Sequence, residues 1–361
     1  MNDPILPGAV LGILGDGQLG RMLALAAAPM GYRVAVLGPG GRESSAGQVA
    51  YWAKAWEPDG TVTDELLQEF CSLVSVVLIE WENVPLDLLS RIQSWGVAIR
   101  PDPSILAIAQ DRLLEKQYAL SKDIAVPVFS SITCELEAAR IIVIPSILKT
   151  RRDGYDGKGQ VRLEPGDSLV AAWESLGSVA CILEEVVDFV AEASMIVARP
   201  HEGKPVIQGP FCNYHHKGIL RETVYPLKLG EEYDVDEIRE HLFDAARTLS
   251  QSVHGMLAVE FFIGREGQVI FNEMAPRPHN SGHLTLDLAG ASQFELYIRA
   301  ACNLPLNLSQ RLRIQPGRMQ NILGEEEGRF INRHPINGRV HWYGKGEPRP
   351  GRKIGHVTSW Q

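Results

Sequence analysis

Along the N-terminal third of the chain, short apolar runs alternate with stretches of helical spacing. Residues 9–14 (AVLGIL) predict a buried strand, Arg21–Ala28 a helix ended by Gly31, and Tyr32–Leu37 a second strand. Val74–Ile79 predicts another strand, with a helix over Leu86–Trp95 behind it. Strands bridged by helices in this order predict βαβ units and a parallel sheet. Pro101-Asp102-Pro103 marks the exit from that unit, and a helix over Ser104–Ser121 follows. The pattern then changes. Ile141–Leu148, Val161–Leu163, Cys181–Val187 and Ser194–Arg199 predict strands, Asn213–Lys217 an irregular polar segment, and Asp236–Val253 and Ser292–Ala301 helices. The tail from Arg339 to Thr358 reads as basic and loop-rich.

Two apolar runs, Met256–Ile263 and Gln268–Met274, flank Gly264-Arg265-Glu266-Gly267 and predict a hairpin. Each carries one carboxylate where packing favours an apolar side chain, Glu260 and Glu273. With Arg265 and Glu266 as the turn, residue 260 pairs with 271 and residue 258 with 273. The two acids then share a face as diagonal neighbours, about 7–8 Å apart. Drawn together bare, they would repel by roughly 4 kcal/mol at 4 Å and an effective dielectric of 20. A divalent cation turns that repulsion into a site, and carboxylates that also serve substrate phosphates suit Mg²⁺. Two surface glutamates on a solvated strand are the plainer reading. The next residues weigh against it, because PRPHNSGH (276–283) puts a guanidinium, two imidazoles, an amide and a hydroxyl on a backbone stiffened by proline. That predicts an anion-handling loop beside a magnesium site; zinc would need a third ligand that close spacing does not supply.

Other segments point to phosphate. Gly15-Asp16-Gly17-Gln18-Leu19-Gly20 lies at a strand-to-helix turn, where free amides and the helix dipole favour an anion. A dinucleotide would need an acid closing the second strand, but that place holds Gly38-Pro39-Gly40, with Glu43 the first acid. A phosphorylated substrate without a second nucleotide fits better than NAD. Glu82 and Asn83 follow the strand Val74–Ile79 and are placed to meet the same ligand as Gln18, or else merely cap the next helix. Lys149 precedes TRRDGYDGKGQ (150–160), too long for a two-residue hairpin turn and without the Gly-Lys-Ser/Thr of a Walker loop. Arg151, Arg152 and Lys158 among its glycines suit a mobile flap over phosphates, the alternative being a solvated basic hairpin. In Cys181–Val187, Glu184 points to the face opposite Leu183 and Glu185. Arg339, Lys345, Arg349, Arg352, Lys353 and His356 of the tail form either a second phosphate site or a solvated charge run.

Composition narrows the field. A chain of 361 residues is too long for one core and predicts two or three domains. A net charge of −9 argues against a general nucleic-acid or membrane-surface binder. The five cysteines are scattered, odd in number and never spaced as C-x-x-C, as expected of reduced thiols in the cytoplasm. Neither a signal peptide nor a membrane span is predicted.

Taken together, the segments resemble the 5-(carboxyamino)imidazole ribonucleotide synthases, a family of the ATP-grasp superfamily. The resemblance is carried, in order and over nearly the whole chain, by GDGQLGRM (15–22), EWENVP (80–85), QDRLLEK (110–116), KTRRDGYDGKGQ (149–160), LEE (183–185), LAVEFF (257–262), NEMAPRPHNSGH (272–283) and YGKGEPRPGRKIGHV (343–357). It implies a ligase of purine biosynthesis. ATP, bicarbonate and 5-aminoimidazole ribonucleotide would give ADP, phosphate and the N5-carboxylated ribonucleotide through carboxyphosphate. It also implies Mg²⁺, with Mn²⁺ as a substitute, a cytoplasmic homodimer, and no nucleic-acid or membrane partner. The implied fold mixes α/β and α+β in a three-domain ATP-grasp architecture. Residues 1–103 would form a Rossmann-like parallel-sheet domain and 104–190 a small central α+β lid. Residues 191–361 would form an antiparallel-sheet α+β domain with a basic C-terminal β segment.

By the same resemblance, ATP falls to Arg112, Lys149 and the loop Gly154, Tyr155, Asp156, Gly157, Lys158, Gly159 and Gln160. The adenine meets the backbone of Glu184, Glu185, Val186 and Val187. The ribose meets Glu192, and His215 is a further nucleotide contact. Glu260 and Glu273 are the metal acids, with Asn272 beside them. The ribonucleotide falls to Tyr155, Asp156, Lys158, Lys345, Arg352 and Lys353, with Gln18, Leu19 and Glu82 on the first-domain wall. Arg277, with His279, Asn280 and Ser281, is expected to hold bicarbonate or its adduct. Asp156 is the expected base for the amine's proton, with Lys353 near the developing charge. Three positions depart from the family pattern: Asp16 replaces a glycine, Ala191 an arginine, and Ala275 the metal-binding asparagine of many other ATP-grasp enzymes. Another ATP-grasp carboxylate–amine ligase, a biotin-dependent carboxylase subunit, and a nucleotide-binding regulator without catalysis are the rival readings.

Overall fold

The computed structural model describes residues 3–57, 60–154, 159–306, 313–331 and 337–360, and its strands fall into three sheets. The first contains β1 (Val10–Leu14), β2 (Arg33–Gly38), β3 (Trp52–Ala55), β4 (Val76–Ile79) and β5 (Ala98–Arg100), all parallel, in the order β3-β2-β1-β4-β5. β1 and β4 are buried along their whole length, which is why they read as continuous apolar runs. The helix after β1 begins at Gln18, three residues before the predicted Arg21. Strand β3 and the helix Asp64–Leu73 were not predicted; β3 spans four residues of which only Ala53 is buried.

The predicted helix Ser104–Ser121 is two, Pro103–Ala109 and Arg112–Leu120. Asp111 breaks it by capping the second, accepting from the Leu113 amide at 3.0 Å. The second sheet holds β6 (Phe129–Ile132), β7 (Ser146–Thr150), β8 (Gln160–Leu163) and β9 (Cys181–Glu185), antiparallel in the order β6-β9-β7-β8. Residues 141–145, expected in the strand that became β7, precede it as loop.

The third sheet has eight strands in the order β14-β13-β10-β11-β12-β15-β17-β16. They are β10 (Phe189–Arg199), β11 (Val206–His216), β12 (Ile219–Tyr225), β13 (Gly255–Gly264), β14 (Val269–Ala275), β15 (Gly317–Leu323), β16 (Arg339–Trp342) and β17 (Lys353–Trp360). Alternation along its strands sorts side chains between two cores. Met195, Val197, Leu257 and Val259 face the helix Val235–Leu249, while Ile196, Ala198, Met256 and Ala258 face the helix Gln293–Ala301. Tyr297 of the latter helix joins two sheets: its hydroxyl accepts from the Ile79 amide at 2.8 Å and donates to the Arg100 carbonyl at 2.6 Å. Asn213–Lys217, read as irregular, is mostly the end of β11, with a turn through Lys217 and Gly218 into β12. The tail read as loop-rich supplies β16 and β17. β16 is the sheet's edge, while β17 is buried over Ile354–Thr358 but reads as loop because Gly355, His356 and Thr358 interrupt its apolar run.

The hairpin has a different register from the one predicted. Its turn is Arg265-Glu266-Gly267, closed by Gly264 N–H to Gln268 O at 2.9 Å and Gly267 N–H to Gly264 O at 2.9 Å, with Gly267 at φ +82°. Phe261 therefore pairs with Phe271. A bulge at Asn272 then brings Glu273 directly opposite Glu260 rather than diagonal to it.

Among the described residues no helix is long and apolar enough to cross a membrane. All five cysteines are free, and only Cys134 is exposed.

Candidate active site

The bulge creates the central feature of the site, two carboxylates on facing strand positions. Direct antiparallel partners hold their Cβ atoms about 4.5–5.5 Å apart. Glu260 is buried, with Asn213 Nδ2 donating to its Oε1 at 3.3 Å and His279 Nδ1 3.5 Å away. Glu273 opens onto the cleft, keeping 42 % of its side-chain surface, and receives Arg112 Nη1 at 3.3 Å. Burial, and then the charge of Glu273, pushes Glu260 up to about 8. Burial also opposes ionisation of Glu273, but the charges of Arg112, Lys149 and Lys116 outweigh it and hold that carboxyl at about 2. The pair thus carries one charge at neutral pH and keeps a proton that a cation can displace. Facing carboxylate oxygens are a hard donor set, so the residues fit Mg²⁺ or Mn²⁺.

A cationic wall stands beside this pair. Lys149 Nζ reaches Glu184 Oε2 at 2.7 Å, and Lys116 Nζ lies 3.6 Å from Glu184 Oε1. Only 1 % of the Lys116 side chain is exposed, and its ammonium also donates to the carbonyl of the bulged Asn272. Glu115, which burial pushes up to about 8, accepts from the Met274 amide. The helix Arg112–Leu120 therefore grips the strand on both sides of Glu273 and places Arg112 on the carboxylate itself. Lys116 and Glu115 were missed as site residues. The signal was present in QDRLLEK, where Arg112, Glu115 and Lys116 stand at i, i+3 and i+4 and so share a helix face.

The flap is described up to Gly154 and again from Gly159; Tyr155, Asp156, Gly157 and Lys158 lie outside the described residues. The Gly154 carbonyl accepts from Arg112 Nη2 at 3.2 Å. Gly159 takes φ +68°, and a Cβ there would come within 2.7 Å of Thr150 Oγ1. Gln160 pairs with Lys149 across β7 and β8. Arg151 and Arg152, read as phosphate-neutralising, are instead turned to Asp111. Arg151 Nε and Nη2 bond its two oxygens at 2.9 and 2.6 Å, and Arg152 Nη2 lies 3.5 Å away. A buried carboxylate recruits the nearest guanidinium, and Asp111 has that claim on both.

On β9, the buried Glu184 side chain, on the face opposite Leu183 and Glu185, is spent on the two lysines. The Glu185 and Val186 amides donate to the Val128 and Pro145 carbonyls at 2.9 Å each, and Val187 follows them. Glu192 bonds His215 Nδ1, and that carboxylate raises the imidazole pKa against the burial that lowers it.

The opposite wall joins remote parts of the chain. Lys345 Nζ donates to Gln18 Oε1 at 2.6 Å, and His283 Nε2 lies 3.4 Å from Gln18 Nε2. Arg277 Nε pairs with Glu82, so these two expected ligand contacts neutralise each other across the two sheets. Lys353 opens β17 and its charge acts on Glu260 and His279, whereas Arg352 beside it is exposed. His279 is held down at about 3 by burial and by Arg277, and so is neutral. Three expected contacts are turned inward. The Leu19 side chain belongs to the apolar core, leaving only its backbone at the helix start. Asn280 exchanges bonds with Asn321 at 3.1 and 2.6 Å. Ser281 is fully buried between Ser194 Oγ at 2.7 Å and His279 Nδ1 at 2.8 Å. Asn280 and Ser281 thus brace the cleft from behind, as buried amides and hydroxyls require partners.

Asp16 accepts from the Gly40 and Gly41 amides. Its carboxyl occupies the space above Gly38, where an added Cβ would lie 2.6 Å from Asp16 Cγ. The position examined for a dinucleotide's ribose is therefore filled by the chain itself.

The comparisons with known proteins follow the same division. Family models match residues 9–110 (ribonucleotide synthetase preATP-grasp domain), 117–294 (ATP-grasp domain) and 318–361 (phosphoribosylaminoimidazole carboxylase C-terminal domain). The chain is 37 % identical to N5-carboxyaminoimidazole ribonucleotide synthase of Bacillus subtilis, covering 98 % of this chain and 92 % of that one. It is 38 % identical to the bifunctional purine synthesis protein purC/E of Dictyostelium discoideum over 98 % of its own length, and spans 37 % of that longer protein. The crystal structure of the Aspergillus clavatus N5-carboxyaminoimidazole synthase, in complex with ADP and 5-aminoimidazole ribonucleotide, superposes with a TM-score of 0.87 at 25 % identity, covering 100 % of this chain and 94 % of that one. The chain belongs to the N5-carboxyaminoimidazole ribonucleotide synthase family, within the ATP-grasp superfamily.

Proposed function

We propose that this chain joins bicarbonate to the amine of 5-aminoimidazole ribonucleotide at the expense of ATP, as a magnesium-dependent homodimer of three domains (1–103, 104–190 and 191–361). The observation that carries the reading is the facing pair Glu260 and Glu273 with Arg112 and Lys149 beside it. Mg²⁺ or Mn²⁺ on those two carboxylates would supply charge neutralisation at the ATP phosphates. Arg112 and Lys149 steady the transferring phosphoryl group while a bicarbonate oxygen attacks the γ-phosphorus and ADP leaves. The carboxyphosphate so formed is labile, and the 154–160 loop excludes water from it. The substrate's amine then attacks the carboxyl carbon, phosphate departs, and Asp156 accepts the amine's proton. Gln18, Glu82, Lys345 and Lys353 orient the ribonucleotide, and Arg277 with His279 lines the bicarbonate side.

The test is phosphate release with each substrate omitted in turn. Release that requires both bicarbonate and 5-aminoimidazole ribonucleotide is expected; release with another amine instead points to a different carboxylate–amine ligase, and ATP binding without turnover points to a regulator. Asp156→Asn should keep ATP affinity while abolishing carboxylation, and product formation by that variant would remove Asp156 as the base. Metal binding carries a pH signature. Because Glu260 holds its proton up to about pH 8, Mg²⁺ must displace it. Affinity should then rise about tenfold per pH unit toward that value and level off above it. Calorimetry in buffers of different ionisation heat counts the released proton; an affinity flat from about pH 6 to 8 with no proton released would show that no proton leaves Glu260 on binding.

A further inference from the structure

The short helix Thr285–Leu288 and the ribbon of β16 and β17 meet at a cluster that the proposed reaction does not use. His341 and His356 are direct partners across the two strands, and their rings stack with centroids 4.7 Å apart. Asp287 reaches them from the helix, its Oδ2 accepting from His341 Nε2 at 2.8 Å and its Oδ1 from Arg339 Nη1 at 2.9 Å. Each of the three residues offers one ligating atom, and these atoms lie within 4.8 Å of one another.

A second observation points to a ligand. His356 is fully buried, and its Nδ1 is bonded to the Tyr343 hydroxyl at 2.9 Å. Among the described residues, its buried Nε2 has no hydrogen-bond partner. A buried imidazole nitrogen left bare forfeits its hydration without return, so native structures rarely keep one.

We propose that Asp287, His341 and His356 form a binding site for a divalent transition metal of the zinc type, which pins the C-terminal ribbon to the helix Thr285–Leu288. Two imidazoles and one carboxylate suit zinc, whereas Mg²⁺ prefers oxygen ligands alone. Cross-strand partners bring two imidazoles to one point without strain in the backbone. The Tyr343 bond orients the His356 ring through its other nitrogen, as the outer shell of metal-bound histidines does. Arg339 stays on the second oxygen of Asp287 and balances its remaining charge. To bind, His341 gives up its Nε2 proton, to its own Nδ1 or to solvent, its ring turns out of the stack so that both in-plane lone pairs meet at the metal, and the ligating atoms draw in to about 3.4 Å, the separation that zinc bonds of about 2.1 Å require. His341 keeps a quarter of its surface, which leaves a water-accessible position for a fourth ligand. His356 also packs 5.1 Å from the His283 ring, so the metal would stiffen the wall behind Gln18.

The experiment titrates chelator-stripped full-length protein with Co²⁺ and, separately, with Zn²⁺. One equivalent of Co²⁺ should give the visible absorption of a low-coordinate centre, Zn²⁺ should displace it, and Zn²⁺ should raise Tm. His341→Gln and Asp287→Asn should each weaken binding by at least about 100-fold and abolish the Tm shift. The double variant Glu260→Gln, Glu273→Gln should keep both signals. No absorption in the unmodified protein overturns the proposal. So does absorption that survives in the His341 and Asp287 variants, or absorption lost in the carboxylate double variant, which would move the ion to the cleft. Matching melting curves under chelator show that a variant has folded; if one of the two has not, the other decides.

Discussion

Glu273→Gln should lower kcat by at least about 10²-fold, the cost of removing one preorganised electrostatic contact. The substitution keeps shape and removes charge. Its effect is concentrated in Glu273 because this carboxylate, held ionised by Arg112 and its cationic neighbours, is the charged member of the pair, while Glu260 holds the proton. The variant leaves Arg112 facing a neutral amide across what was a 3.3 Å ion pair, and removes the negative charge a divalent cation would need. Folding should hardly change, since the side chain opens onto the cleft. Steady-state phosphate release, with melting curves alongside, checks both halves. Turnover near that of the unmodified protein would take Glu273 out of the metal site.

Glu184→Gln should be the most destabilising conservative change in the cleft, at about 3–5 kcal/mol, the cost of breaking a buried ion pair from one side. Glu184 is the counter-charge of two lysines, Lys149 at 2.7 Å and Lys116 at 3.6 Å. Burial depresses Lys149, opposed chiefly by Glu184, so loss of that carboxylate works against the ammonium that meets phosphate. Urea unfolding at unchanged slope measures the stability term, and ATP affinity should fall in the same variant. A loss below about 1 kcal/mol, the range of solvent-exposed pairs, would mean that water already compensates these charges.

Glu273 and Lys116 show unequal legibility. Glu273 was visible from the chain alone, as a charge inside an apolar strand pattern. Its neighbour Lys116 was not, although it lies in a recognisable segment, because nothing local to a lysine says whether its stem runs to solvent or across to Asn272 and Glu184. Arg151 and Arg152 failed in the opposite sense. Their spacing among glycines suggested phosphate, and only the fold revealed that Asp111 stands close enough to hold both.

The amino-acid order alone determined the features that depend on neighbours a few positions away. Among them are the parallel first sheet from its strand–helix alternation, the shared face of Glu260 and Glu273, and the placing of Glu184 on the face opposite Leu183 and Glu185, all consequences of periods of 3.6 and 2. Tertiary structure decided what depends on distances between remote segments. It set the one-residue bulge that turned diagonal acids into facing ones, joined Lys345 to Gln18, and seated Asp287 on a strand pair formed by the polar tail. The reason is that pattern constrains which face a side chain takes, whereas register and partner are settled only when whole elements compete to pack.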